Sequence, residues 1–358
     1  MAKKQPEHGL RETPGTFEIR GIVTGTKNKN FYAEKSFPSG SSMRSANFGV
    51  EYAPKCAQWP VVQGFTRPDV YFTKRVDGVT DTKKIPWAQR ETFAAQNLDY
   101  RPIGVNIGLS KDEDGKNVNR NLVEYDAAKY LKENLADGMS VFVKGTIGYR
   151  SYTTKNGDVK RMTDFNASQV SLCNDAIDFN AENFTAKHSF TQEIVYTEIA
   201  KESDAEGKPT GRFIMSGFVV SFTAIEPVAF IVADAKLANQ IRKNLKPYSS
   251  IVCEGWMEVV HSVEAAEEVD DWGNPIPKEF KKVTAPSVRE LVVGYVRPET
   301  IDAESYSEEA IMAGIQKLKA KAEVKKNYGD VDETVSVPAA DNSGWDAADD
   351  DSDNGEDW

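Results

Sequence analysis

The sequence is poor in the residues that do chemistry. Its 358 residues include three cysteines and three histidines. Cys56, Cys173 and Cys253 stand far apart, and so do His8, His188 and His261. Such scatter excludes a disulfide framework, a zinc site of ordinary spacing and, in practice, a histidine-based triad. There is no Gly-x-x-x-x-Gly-Lys-Ser/Thr loop, no Gly-x-Ser-x-Gly elbow and no His-Glu-x-x-His helix to anchor nucleotide, ester or zinc-dependent peptide hydrolysis. Carboxylates are plentiful enough for a metal-dependent nuclease. Their densest group, Asp349-Asp350-Asp351, nevertheless lies where nothing would fix its geometry. No catalysis, metal or cofactor is expected.

Long apolar runs are missing as well. The most apolar stretch, Phe213 to Ala233, is broken by Ser216, Ser221, Thr223 and Glu226-Pro227. It predicts two buried strands and a turn, and no membrane association. Lys3 and Lys4 have no apolar segment behind them, so no secretion signal is expected. With unpaired cysteines, this predicts a cytoplasmic protein.

Basic residues are absent from position 327 onward. That segment carries 11 of the 55 acidic residues and none of the 44 basic ones, so the other 326 residues hold 44 of each. A neutral body trails an acidic leash. The leash repels itself and buries little, which predicts a disordered interaction tail over 327–358. It carries Trp345, Asp349, Asp350, Asp351, Asp353, Glu356 and Asp357, and ends on Trp358. This ending resembles that of the single-stranded DNA-binding proteins of bacteria and T7-type phages. In that family an acidic tail with an aromatic tip docks on replication proteins and competes with DNA. The resemblance implies that those tail residues form a partner-binding segment for a polymerase, helicase or recombinase, in DNA replication, recombination and repair.

Inside the body a unit repeats at a spacing of 110 residues. Ala128, Asn134, Leu135, Ser140 and Gly145 match Ala238, Asn244, Leu245, Ser250 and Gly255 without a gap. In each copy a helix pattern gives way to a β-branched strand, which points to duplication. Strands are predicted at Thr16–Gly25, Pro102–Leu109, Val141–Tyr152 and Lys160–Leu172 around a helix at Leu122–Leu135. The second copy has them near Thr191–Ala200, Gly211–Phe222, Pro227–Val232, Ile251–His261 and Lys281–Val296. The order strand, strand, strand, helix, strand, strand is that of the oligonucleotide-binding OB-fold. The expected fold is therefore mainly β: two tandem OB-like five-stranded barrels, each with one helix. Domain one spans 16–175 after a flexible N-terminus at 1–15, and carries a long irregular insertion at 26–100. Domain two spans 185–300. A helix follows at 302–326, with Ile311, Ile315 and Leu318 on one stripe.

The halves of the body differ in charge. Residues 1–175 hold 26 basic and 20 acidic residues, whereas 176–326 hold 18 and 24. Nucleic acid should therefore meet the first half. Single strands are held by cations along the phosphates and by rings stacked on bases. The insertion interleaves the two: Lys27, Lys29, Phe31 and Tyr32, then Arg44, Lys55 and Trp59, then Lys74, Arg75, Lys83, Lys84, Trp87 and Arg90. Phe48, Tyr71 and Phe72 are open to either a core or a binding role. Tyr149, Arg150, Tyr152, Lys155, Lys160 and Arg161 repeat the combination on a hairpin turned by Asn156-Gly157. Copy two has Glu254 where copy one has Lys144, and is available for homo-oligomerisation or partner contact. The competing reading is an acidic protein-interaction module, or a polymerase or scaffold accessory factor, with no strand binding of its own.

Overall fold

A computed structural model describes residues 6–154, 156–204, 206–261 and 287–328. Its architecture is mainly β, with four α-helices among the described residues. In β1 (Gly15–Thr24), Phe17, Ile19 and Val23 turn inward while Thr16, Glu18 and Arg20 turn out. This two-residue period recurs in β2 (Tyr32–Ser36), β3 (Ser42–Asn47), β4 (Gly49–Ala53), β5 (Cys56–Gln58) and β6 (Pro60–Phe65) only in part. β3 runs past the fully buried Phe48 into β4, so the two behave as one bent strand.

An excursion leaves after β6. It contains β7 (Asp69–Val76), β8 (Val79–Pro86), a 3₁₀ turn at Trp87–Gln89, α1 (Arg90–Gln96) and β9 (Arg101–Pro102). β7, β8 and β9 form a separate three-stranded sheet. β10 (Val105–Gly108) and β11 (Arg120–Leu122) then lead to α2 (Glu124–Asn134), β12 (Ser140–Thr153) and β13 (Val159–Leu172). The remaining elements are β14 (Lys187–Ser203), β15 (Pro209–Val220), β16 (Ile225–Val232), α3 (Ala235–Asn244), β17 (Ser250–His261), β18 (Ser287–Asp302) and α4 (Glu308–Tyr328).

The pairings close two circuits. In the first, β1 pairs β4, β3 pairs β6, β6 runs parallel to β13, β13 pairs β12 and β12 returns to β1. In the second, β14 pairs β15, β15 pairs β16, β16 runs parallel to β18, β18 pairs β17 and β17 returns to β14. The rings join where β1 lies antiparallel to β14, from Gly15 opposite Gln192 to Arg20 opposite Lys187. Phe17 and Phe190 face each other across this seam, and one apolar cluster runs through both rings.

The repeat detected in the sequence is visible in detail. α2 and α3 both end on a leucine, Leu135 or Leu245, whose N–H still bonds the last turn. The register slips between Lys144 and Gly145 in β12, and between Glu254 and Gly255 in β17. A Cβ at either glycine would collide with a backbone carbonyl oxygen of the neighbouring strand, that of Asn166 or Val292. Each copy thus needs glycine at one bulge to bend its strand around the ring.

Two expectations require correction. Segment 26–100 is not an irregular insertion placed between the first two strands. Its part from Ser42 to Phe65 supplies the second and third strands of the first ring, while β10, predicted for that place, pairs β11 and the far end of β13. The inserted piece lies between β6 and α2. Charged residues on the outward positions masked the inward set Met43, Ala46, Val50, Tyr52 and Val62. Nor are residues 6–14 loose: Thr13 exchanges hydrogen bonds with Val220, His8 bonds the Ser221 carbonyl, and Arg11 forks onto Glu193. This strap packs with α4, where Ile311, Ile315 and Leu318 close over Val220, Ile225 and Leu10.

Two outcomes follow. Gly145→Ala and Gly255→Ala should each destabilise the protein by about 1–3 kcal/mol through overpacking against backbone, read as a lowered urea midpoint. The second outcome concerns His188, which stacks on Tyr52 at 4.2 Å near the seam. Burial holds its pKa below the usual value. The unfolded chain then binds a proton that the folded one resists, so stability should fall as pH drops below about 6.5. His188→Phe should flatten the loss between pH 7 and 5.5, before the carboxylates titrate.

Candidate nucleic-acid interface

The turn after β1 brings Lys27 and Lys29 to the surface, both exposed. Beneath it, Trp59 lies against Gly25 and Gly49, where a side chain on either glycine would meet the indole. Lys55 stands exposed on the turn between β4 and β5, with a left-handed φ of 63°. These residues are separated in sequence, and the ring closure gathers Lys27, Lys29 and Trp59 at one end of the first ring.

A second gathering occurs between α2 and the corner after β8. Arg44, Trp87 and Arg90 line a groove of about 560 Å³ together with Tyr125, Lys129 and Tyr130. The guanidinium of Arg44 lies 4.1 Å from the centre of the Tyr125 ring, Tyr125 meets Trp87 edge-on at 5.6 Å, and Arg90 lies 4.3 Å from the Trp87 ring. This alternation of cation and ring is a stack held by the protein itself. Arg44 also pairs with Glu34 at 2.9 Å, and Arg90 forks onto Asp126 at 2.7 and 2.8 Å. Arg90 is held above its ordinary pKa, chiefly by the Asp126 hydrogen bond. The Glu34 carboxyl lies below its ordinary range because Arg44, and then Tyr32, donate to it. The Tyr32 hydroxyl, donating to Glu34, is pushed up to about 12 by burial first and that bond second. Lys132 covers its ring at 4.4 Å.

On the hairpin of β12 and β13, Arg150 stands opposite Met162, Ser151 opposite Arg161 and Tyr152 opposite Lys160. Partners share a face, so Arg150, Tyr152 and Lys160 occupy one side while Arg161 occupies the other. Arg150 bonds Asp164 at 2.6 Å. A smaller groove of about 250 Å³ separates this hairpin from the second ring, lined by Arg150, Arg161, Met162, Pro227, Val228 and Ile231.

Several predicted residues serve the fold instead. Phe31 is buried at 6% exposure in the first ring, and its ring cannot reach a base. Tyr149 lies edge-on to Phe230 across the two rings, with a buried hydroxyl whose pKa is raised by desolvation. Phe48 and Phe72 are core, whereas Tyr71 is exposed. Lys74 pairs with Asp99 and Lys83 lies over the Tyr100 ring at 4.4 Å, while Lys84 pairs with Asp69 and stays exposed. Arg75 is exposed. Lys155 and the tail residues Trp345, Asp349, Asp350, Asp351, Asp353, Glu356, Asp357 and Trp358 lie outside the described residues. Sequence reasoning missed Tyr125, Lys129 and Tyr130 because it followed the apolar face of α2. The spacing of Tyr125 and Lys129, one turn apart along the edge of that face, was the available signal.

The geometry defines a protein of two joined β-rings with a surface of cations and rings and, among the described residues, no cluster fit to hold a metal ion. The YorF family profile matches residues 73–329, and the chain belongs to that family. Among solved structures it is similar to the wild-type single-stranded DNA-binding protein from Thermus aquaticus, with 11% identity over 80% of this chain and 93% of that one and a TM-score of 0.37. A deletion mutant of the same protein gives 11% identity, coverage of 83% and 98%, and a TM-score of 0.38. No curated protein matches the chain. No helix of the described residues is long and apolar enough to cross a membrane.

Arg90→Ala should cost about 1.5–3 kcal/mol of stability, the range for hydrogen bonds to a charged group. Arg90→Lys should restore only part of it, since a point charge cannot reproduce the fork on Asp126. Urea titration of both variants beside Lys29→Ala, expected to leave stability unchanged, checks this separation of structural from surface cations.

Proposed function

We propose that the chain binds single-stranded DNA through the first ring. The observation that carries this reading is the connectivity. In each ring the first strand pairs with the second and the fourth, the third pairs with the second and runs parallel to the fifth, and a helix separates third from fourth. That is the plan of the OB-fold, whose ligand face consists of strands two and three with the loops after strands one and four. We therefore read the rings as tandem OB-like barrels. Lys27, Lys29 and Trp59 stand by the loop after strand one, and Tyr152 and Lys160 on the hairpin after strand four, where Arg150 is held by Asp164. Cations at both ends would follow the phosphates while the open sides of the half-buried Trp59 and Tyr152 rings stack on bases, a combination that favours single strands over duplex.

In this reading the acidic segment beyond 327 recruits a polymerase, helicase or recombinase, in the cytoplasm of a bacterial or phage-infected cell, in replication, recombination or repair. The more acidic second ring serves contact with a partner or a second copy. The pairing of Arg44, Arg90 and Arg150 with carboxylates favours the competing reading, an interaction module or accessory factor that does not hold the strand itself.

Titration with oligo(dT) and with duplex DNA decides between them. Binding should be several-fold or more tighter to the single strand, quench Trp fluorescence, and weaken on a log–log salt plot by about 0.7 per phosphate neutralised. Equal affinity for both forms, or none for either, would reject strand binding in favour of the interaction module.

A further inference from the structure

The sheet outside the rings has one face that no other described element covers. β7 and β8 join through Asp77 and Gly78, both left-handed with φ of 49° and 82°, as a tight hairpin turn requires. Register then assigns the sides. Phe72 pairs with Lys83 and Lys74 with Asp81 on one side; Tyr71 pairs with Lys84, Thr73 with Thr82 and Arg75 with Thr80 on the other. Arg101 of β9 stands beside Thr73 and joins the second set.

The first side is occupied. Val70 and Phe72 are buried with Val123 against Ile85, Trp87, Phe93 and Tyr100. Lys74 and Lys83 on that side are held by Asp99 and the Tyr100 ring. The second side is open: Tyr71 is 42% exposed, and Arg75, Lys84 and Arg101 are all exposed. Its acid, Asp69, bonds Lys84 at 2.8 Å while leaving the lysine side chain 56% exposed. From Tyr71 to Arg75 the face extends roughly 13 Å at about 3.3 Å per residue.

We infer that this face is a second contact surface for the DNA single strand, with Arg75, Lys84 and Arg101 on the phosphates and Tyr71 as a stacking platform. The inference rests on the strand-binding reading above. Three cations against one carboxylate give the face a positive balance, and an ion pair as exposed as Lys84–Asp69 costs little to exchange for a phosphate. The hydroxyls of Thr80 and Thr82 supply further donors along the backbone. An exposed ring among cations suits a ligand with both phosphates and flat bases; an acidic peptide would use the cations alone.

The test uses the full chain and oligo(dT) at varied salt. Arg75→Ala with Arg101→Ala should weaken binding about tenfold or more at low salt and reduce the salt slope by about 1.4, the value for two lost phosphate contacts. Arg75→Lys with Arg101→Lys should retain the slope. Tyr71→Ala should weaken binding about fivefold or more, and Tyr71→Phe should preserve it. Lys116→Ala with Lys208→Ala removes the same charge from exposed positions elsewhere and should alter affinity less than about twofold, as expected of screened distant charges. If the unmodified chain binds but the arginine pair behaves like this control, the inference falls and the first-ring reading stands. Full affinity of Tyr71→Ala would likewise overturn the stacking platform, and failure of the unmodified chain to bind oligo(dT) overturns both readings.

Discussion

The antiparallel seam between β1 and β14 sets the arrangement of everything else. A strand has two edges, and β1 gives one of them wholly to β12. The other edge is divided: Gly15 to Arg20 pair with β14, and Ile22 to Thr24 pair with β4. β14 divides an edge in the same way, giving Lys187 to Gln192 to β1 and the residues from Val195 onward to β15. Each first strand therefore begins in a shared sheet and ends in its own ring. Because the two strands run in opposite directions, the rings relate to each other by a local two-fold, the geometry expected of a duplicated unit joined to itself. The shared sheet also forces the two apolar interiors to merge, which explains why Phe17 and Phe190 belong to one cluster.

Burial, more than charge, separates the cations of the first ring into classes. Arg90 and Asp126 keep only 14% and 24% of their side chains exposed, and Arg150 and Asp164 keep 16% and 22%. Breaking such forks leaves a poorly hydrated carboxylate behind, so these arginines are committed to the fold. Exposed pairs contribute roughly 0–1 kcal/mol and can be exchanged. A ligand phosphate thus competes cheaply for Lys84, and meets no carboxylate bond in the described contacts of Arg75 or Arg101. A count of basic residues along the sequence gives all of these the same weight.

This accounts for how far the sequence could be read. Alternation and the 110-residue repeat identify the second ring's strands and both helices because each strand there is long and its inward residues are β-branched or aromatic. The first ring hides its second and third strands, since β3 and β4 break at Phe48 and β6 has only six residues. Pairs of ring and cation adjacent in sequence also proved ambiguous in principle. The same chemistry that attracts a base and a phosphate lets Arg90 settle on Trp87, three residues before it, and Lys132 reach across the fold to Tyr32. Only the register of β7 against β8 reveals which members of a mixed run face away from the packed side. No local pattern carries that information, because a shift by one residue would exchange the two faces.

The change from Lys144 to Glu254 between the copies illustrates the same limit. Read as sequence, it removes a cation from the fourth strand of the unit. In the fold, Lys144 stands opposite Glu18 on the outward face of the first ring, while Glu254 accepts from Arg297 of the neighbouring β18. The carboxylate therefore has a structural partner of its own, and its presence records cross-strand pairing within the second ring before it records any loss of binding. Trp256, next along the outward face, rests on Gly294 and hydrogen-bonds Glu258. An aromatic and two acids so arranged present a surface unsuited to phosphate. The asymmetry between the copies is then a matter of which outward residues have been paired off internally, and it leaves the exposed cations of the first ring and its appended sheet as the places where an anionic chain meets the least opposition.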